Sequence, residues 1–206
     1  MCYSFESSIY TFIFSVVSSL LLYKKNEIFA AAFVFVLGLM QLSDAIIWYN
    51  LKNNKTNIQI SKYIIPTILC LQVVILYVAY IRVCSATHRS LVYEICLGTY
   101  VILQLYYWIK NCKKPTKKDS TSFLVWCDKP SKLNVTTFYQ RALYLFFVLY
   151  PLYKVYNNNN PIKWIILTGV VMTYILNYKN KSFGARWCHT SNLISFFLLF
   201  YVYARK

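Results

Sequence analysis

In the stretch GLMQLSDAIIWYN (Gly38 to Asn50), Gln41 and Asp44 stand near the end of an otherwise apolar run. A carboxylate there can hold a proton, bind a cation or tie helices together by hydrogen bonds. Gly38, Gln41, Asp44 with Ala45, and Trp48 recur at intervals of three and four, so they form one stripe of a helix. That stripe must face protein, because a carboxylate turned to lipid costs several kcal/mol, and acids inside membranes are paired or set in wet cavities. Glu6, Gln72, Gln104, Arg141 and His189 are the polar side chains expected within reach of Asp44, making a polar pocket of these residues with Gln41.

Other chemistries fit less well. His189 beside Cys188 has the donor atoms of a metal ligand, but two His in the chain and no HxxxH or CxxC pair argue against a closed zinc site, so no metal is expected. No motif calls for a cofactor. Seven Cys is an odd number; Cys70 and Cys96 fall inside apolar runs, while a Cys2 to Cys188 bridge is open only if their face is not cytosolic. No G-x-S-x-G occurs, and Ser43 points off the Asp44 stripe.

The elements that position these residues follow from composition. Apolar residues make up 58% of the chain, aromatics 19% and charged residues only 14%, and the apolar ones are blocked rather than periodic. Runs of about 18 apolar residues match a hydrocarbon core of about 30 Å. The expectation is an all-α, polytopic transmembrane bundle forming a single domain over 1–206. Its spans are expected near 7–23, 28–49, 63–81, 91–109, 138–156, 161–178 and 187–203. Seven is the count, with six as the fallback, because the fifth span holds Arg141, Pro151 and Lys154 and the seventh starts with RWCHTSN. The opening MCYSFESSIY has no Lys or Arg before the apolar run, so the first span is expected to be retained rather than cleaved as a signal peptide. The longest polar connection, 110–137, reads as a loop and not a second domain. Asn-rich pieces such as NNNNP (Asn157 to Pro161) read as coding bias, and no repeat period stands out.

The net charge of +16 invites a nucleic-acid reading, but the Lys and Arg sit in loops at membrane edges, where anionic lipid headgroups account for them. The lipid bilayer and those headgroups are the expected partners; nucleic acid is not, and oligomeric state is left open. Orientation stays open too. The N-terminal side holds more Lys and Arg, but mostly in the long 110–137 connection, and per residue the bias reverses. Three sequons, at Asn54, Asn134 and Asn180, fall on that same side and are usable only if it is luminal. Alternating spans bring Cys2, Ser4, Glu6, Gln41, Asp44, Trp48, Gln104, Trp108, Arg141, Trp187, Cys188 and His189 to one membrane face. The opposite face, with His88, Glu94 and Glu27, is the poorer half.

MCYSFESS, LMQLSDAIIW, the Leu71-Gln72 pair and FGARWCHTSN together resemble an uncharacterised family of small polytopic membrane proteins of giant DNA viruses of protists, with more distant bacterial relatives. The resemblance covers most of the chain through four short motifs. It implies family positions at Cys2, Ser4, Gln41, Asp44, Trp48, Gln72, Gly184, Trp187 and Cys188, and a viral or host membrane as location. This sequence departs from the pattern in lacking a His or Cys soon after Trp48. Three functions compete: a small-molecule or ion binding or transport pathway, a non-catalytic structural protein of a viral or organelle membrane, and a membrane-embedded hydrolase. The shortage of His disfavours the hydrolase, and the reading leans away from an enzyme.

Overall fold

The computed structural model describes residues 4–84, 89–118, 124–128, 135–177 and 183–205; within these, the side chains of 128, 135–138, 176–177 and 183–191 are not described. The fold is an all-α bundle. The described residues form seven long helices, α1 (Phe5–Lys24), α2 (Ile28–Tyr49), α3 (Asn54–Cys84, with a π-helical turn at Ile60–Ile64), α4 (Leu91–Asn111), α5 (Val135–Val155), α6 (Pro161–Asn177) and α7 (Phe183–Ala204). Of these, α1 to α4 are each long and apolar enough to cross a membrane; α6 and α7 contain shorter apolar stretches, Pro161–Ile175 and Asn192–Ala204. Each helix lies where an apolar run predicts one. The main difference is α3, which starts at Asn54 rather than near 63, because polar residues extend the helix beyond its apolar part.

Helix α1 begins at a reciprocal cap: Ser4 Oγ accepts from Ser7 N and Ser7 Oγ accepts from Ser4 N, each at 3.2 Å. Its buried residues Ser8, Thr11, Ser15, Ser18 and Leu22 alternate in steps of three and four. This small-residue face lets α1 lie close against α2. A tight turn with Asn26 at φ 62 joins the two, and Ser19 Oγ donates to Ala31 O at 2.8 Å. Helix α2 is the centre of the bundle: 72% of its most apolar window is buried, against 28% for α1 and for α4. Around it stand α1, α3 and α7, with α6 on α7 and both α4 and α5 on α3. The main core includes Phe29, Phe33, Leu76, Phe147, Ile166 and Leu198.

Two prolines inside helices explain how α4 is fastened. In the π-turn of α3, Ile65 N donates to Ile60 O, one residue further back than in an α-helix. The next carbonyl, Ser61 O, would need an N–H from residue 66, which is proline and has none. Trp108 Nε1 of α4 supplies that bond at 2.7 Å. In α5, Pro151 leaves the carbonyl of Phe147 without its intrahelical donor, and Tyr93 Oη, also of α4, donates to it at 3.2 Å. One helix thus satisfies two carbonyls orphaned by proline on two neighbours.

The outward faces are apolar. Ile13, Val17 and Leu20 on α1, Ile95, Ile102 and Leu103 on α4, and Phe196, Phe197 and Phe200 on α7 are all exposed. In water such surfaces would be a liability; in hydrocarbon they are the expected exterior.

Candidate functional site

The α2 stripe is buried as its spacing requires. Gln41 and Asp44 are each 0% exposed, Gly38 and Ala45 are buried, and Trp48 is half-buried. Thr11 Oγ1 of α1 lies 3.0 Å from Gln41 Oε1. Trp126 Nε1 donates to Asp44 Oδ1 at 3.1 Å. Ser43, off the stripe, turns its hydroxyl back to Met40 O at 2.8 Å. A carboxylate, a carboxamide and a hydroxyl therefore share the interior of the bundle at the end that carries the N terminus.

Trp126 comes from the long connection between α4 and α5, which the sequence presents only as a polar loop. It holds a short antiparallel ribbon, β1 (Lys117–Lys118) with β2 (Leu124–Val125), followed by a 3-10 turn at Trp126–Asp128. A Cys112–Cys127 disulfide closes it at a Cα–Cα distance of 5.2 Å. Buried polar bonds seat this cap on the start of α3: Asn57 Nδ2 donates to Thr116 O at 3.0 Å, Thr116 N donates to Asn57 Oδ1 at 2.9 Å, and the hydroxyls of Ser61 and Thr116 are 2.7 Å apart. Cys127 takes a left-handed φ of 59°, a cost met by the disulfide and by its N–H reaching Thr116 Oγ1 at 3.3 Å. Beneath lies a second apolar core of Met40, Ile47, Ile60, Ile65, Trp108 and Leu124. The cap also covers the end of α2, with Lys118 Nζ 5.7 Å above the Trp48 ring.

The other expected members of the pocket divide. Gln72 is buried but engaged elsewhere, donating to Val36 O and accepting from Tyr144 Oη, both at 2.7 Å, so it ties α2, α3 and α5 together. Glu6 lies exposed in the first turn of α1. Gln104 is buried on α4 and has no hydrogen-bond partner among the described residues. Arg141 is half-buried on α5, a helix that packs chiefly on α3. Gly184, Trp187, Cys188 and His189 fall in the first turns of α7, with side chains outside the described set, and Cys2 lies outside the described residues. Ser4 is the α1 cap. Among the described residues, no three His, Cys, Asp or Glu side chains gather as a metal site.

Two members of the site went unread in the sequence, Thr11 and Trp126. The first had a signal, the three-and-four spacing of Ser and Thr along α1. The second had none, since a tryptophan in a polar connection says nothing about where the connection folds. No family model, curated protein or solved structure matches this chain.

Proposed function

We propose that this chain is a multi-pass membrane protein whose working site is the enclosed polar cluster around Asp44, a one-sided binding site for a small cation or small polar molecule. The carrying observation is the complete enclosure of Asp44, one turn from Gln41, beneath a cap that hydrogen-bonds it through Trp126. A carboxylate in such surroundings binds a positive partner or a proton far more strongly than one in water. The cap covers the site at the face where it would open. The disulfide in that cap favours an orientation with the N-terminal face away from the cytosol, since disulfides persist in oxidising compartments. The motif resemblance supports a viral or host membrane as the location. The reading is not enzymatic.

A second reading has its own observation. Thr11 with Gln41, and Gln72 with Val36 and Tyr144, join helices to one another, as polar residues do in a purely structural bundle. Thermal unfolding of the purified chain with Na+, K+, Mg2+ or Ca2+ separates the two. Binding at Asp44 requires that at least one of these cations raises Tm and that Asp44→Asn removes the rise while unfolding normally in cation-free buffer. If no cation moves Tm, Asp44→Asn behaves as wild type and only Asp44→Leu is destabilised, the acid is a fastener and the binding reading is wrong.

A further inference from the structure

The half of the molecule that the sequence presents as poorer holds a groove. It has a volume of about 470 Å³ and is lined by Tyr77, Val78, Ile81, Arg82, Arg89 and Glu94. Four of these come from the last two turns of α3, and the other two from the start of α4 and the segment just before it. Glu94 accepts from Tyr77 Oη at 2.6 Å and from Arg89 Nε at 2.8 Å. The groove thus holds one carboxylate and two guanidiniums; Glu94 pairs with Arg89, and Arg82, exposed, has no carboxylate partner among the described residues. The groove residues carry a net positive charge, and among the described residues Arg82 has no hydrogen-bond partner.

Its surroundings are those of a lipid site. Val78 on the wall is 59% exposed, and Leu91, Val92 and Ile95 on the adjoining turns of α4 are exposed as well. Apolar surface thus leads from the cationic mouth toward the outside of the bundle. The mouth lies at the ends of α3 and α4, where a membrane-crossing helix meets the headgroup layer. A soluble anion would have no use for the apolar wall, whereas a phospholipid uses both parts.

We propose that this groove binds an anionic phospholipid, its phosphate held by Arg82 and the Arg89–Glu94 pair and its acyl chains lying along Val78 and the first turns of α4. A guanidinium presents a planar fork of donors that fits two phosphate oxygens at once. Glu94 orients Arg89 and opposes the anion, so it sets the affinity of the site. The proposal stands apart from the Asp44 reading, because it rests on the opposite end of the bundle.

The test is native mass spectrometry of the purified full chain incubated with phosphatidylglycerol or phosphatidylcholine. Wild type should retain the anionic lipid roughly tenfold better, the difference expected of one or two charge-assisted hydrogen bonds. Arg82→Gln, an exposed substitution, should remove most of that preference, and Lys113→Gln on the other face should not. Glu94→Gln should strengthen retention by freeing Arg89; weaker retention in that variant would mean that the carboxylate only shapes the groove, against the proposal. Equal retention of the two lipids, or an Arg82→Gln variant that behaves as wild type, would overturn it. Displacement of the lipid by inorganic phosphate at millimolar concentration would also overturn it, marking a free-anion site.

Discussion

Gly38 shows how much of the helix pairing rests on single atoms. A Cβ placed there would come within 2.8 Å of Ser15 Cβ, well inside the roughly 3.5–4.0 Å at which carbons attract. Gly38→Ala is therefore expected to push α1 off α2 and to cost about 1–3 kcal/mol in thermal unfolding, as overpacking does. Ser15→Gly in the same chain should recover part of the loss, whereas Ser15→Ala, which keeps the colliding Cβ, should not. Gly98 supplies the control: nothing lies within 4 Å of an added Cβ, so Gly98→Ala should be neutral or gain up to about 1 kcal/mol from helix propensity. The burial of Gly38, Gln41 and Asp44 was legible because spacing alone fixes a helix face and burial cost alone fixes its direction. The partner of Asp44 was not legible, because Trp126 is separated from it by 82 positions and reaches it through a connection with no periodic pattern.

At the scale of elements, hydropathy located each helix but not the start of α3. The polar stretch Asn54 to Gln59 has no apolar run, yet it is helical: Asn53 Oδ1 caps it by accepting from Thr56 N at 3.2 Å, and Asn57 is fully buried under Thr116. Hydropathy reports lipid contact, and this turn is held instead by its cap and by one buried polar side chain, Asn57. Pro151 read as a weakness of the fifth span; in the fold it creates the acceptor that holds α4. Tyr93→Phe and Trp108→Phe should each lower stability by about 1 kcal/mol, the worth of an interhelical hydrogen bond in a membrane protein. The sharper test is a double-mutant cycle. Pro151→Ala returns an N–H to the Phe147 carbonyl, so in that background Tyr93→Phe should cost less than in wild type. An unchanged cost would show that the hydroxyl's contribution does not depend on the carbonyl that Pro151 frees, and no cost in either background would show that the tyrosine acts only by ring packing, for which Phe147 and Tyr150 stand at centroid distances of 5.4 and 4.5 Å. The cap is the third element with a measurable consequence. Closing a loop with a sequence separation of 15 is worth about 3 kcal/mol in the chain-entropy account. Cys112→Ser and Cys127→Ser should therefore lower Tm by similar amounts, and adding reductant to either variant should lower it no further.

For the whole molecule, the chain's charge and its cap bear on orientation from different directions. Counting Lys and Arg over all loops favours a cytoplasmic N terminus, but the rule holds for short loops, and the surplus sits mainly in the long connection between α4 and α5. That connection carries the Cys112–Cys127 disulfide, and its charges Lys113, Lys114, Lys117 and Lys118 stand on a folded cap rather than beside a span. Setting the whole 110–137 connection aside leaves six Lys and Arg on the N-terminal side and eight on the other, so the short turns at Lys24-Lys25 and Arg82 to Arg89 become the cytosolic candidates, and the lipid groove then opens to the leaflet where anionic headgroups are most abundant. The expected arrangement has the N terminus and cap away from the cytosol and the C terminus within it, after seven crossings. An epitope inserted after Lys118 and a second one after Lys206 report this in sealed microsomes. Protease added outside, on the cytosolic side, should remove the C-terminal epitope and leave the one at Lys118 until the membrane is opened. Loss of the Lys118 epitope alone would reverse the orientation and leave the disulfide facing a reducing compartment, where it would not persist. Loss of both at once would mean an even number of crossings between the cap and the C terminus, so that one of α5, α6 and α7 does not span the membrane.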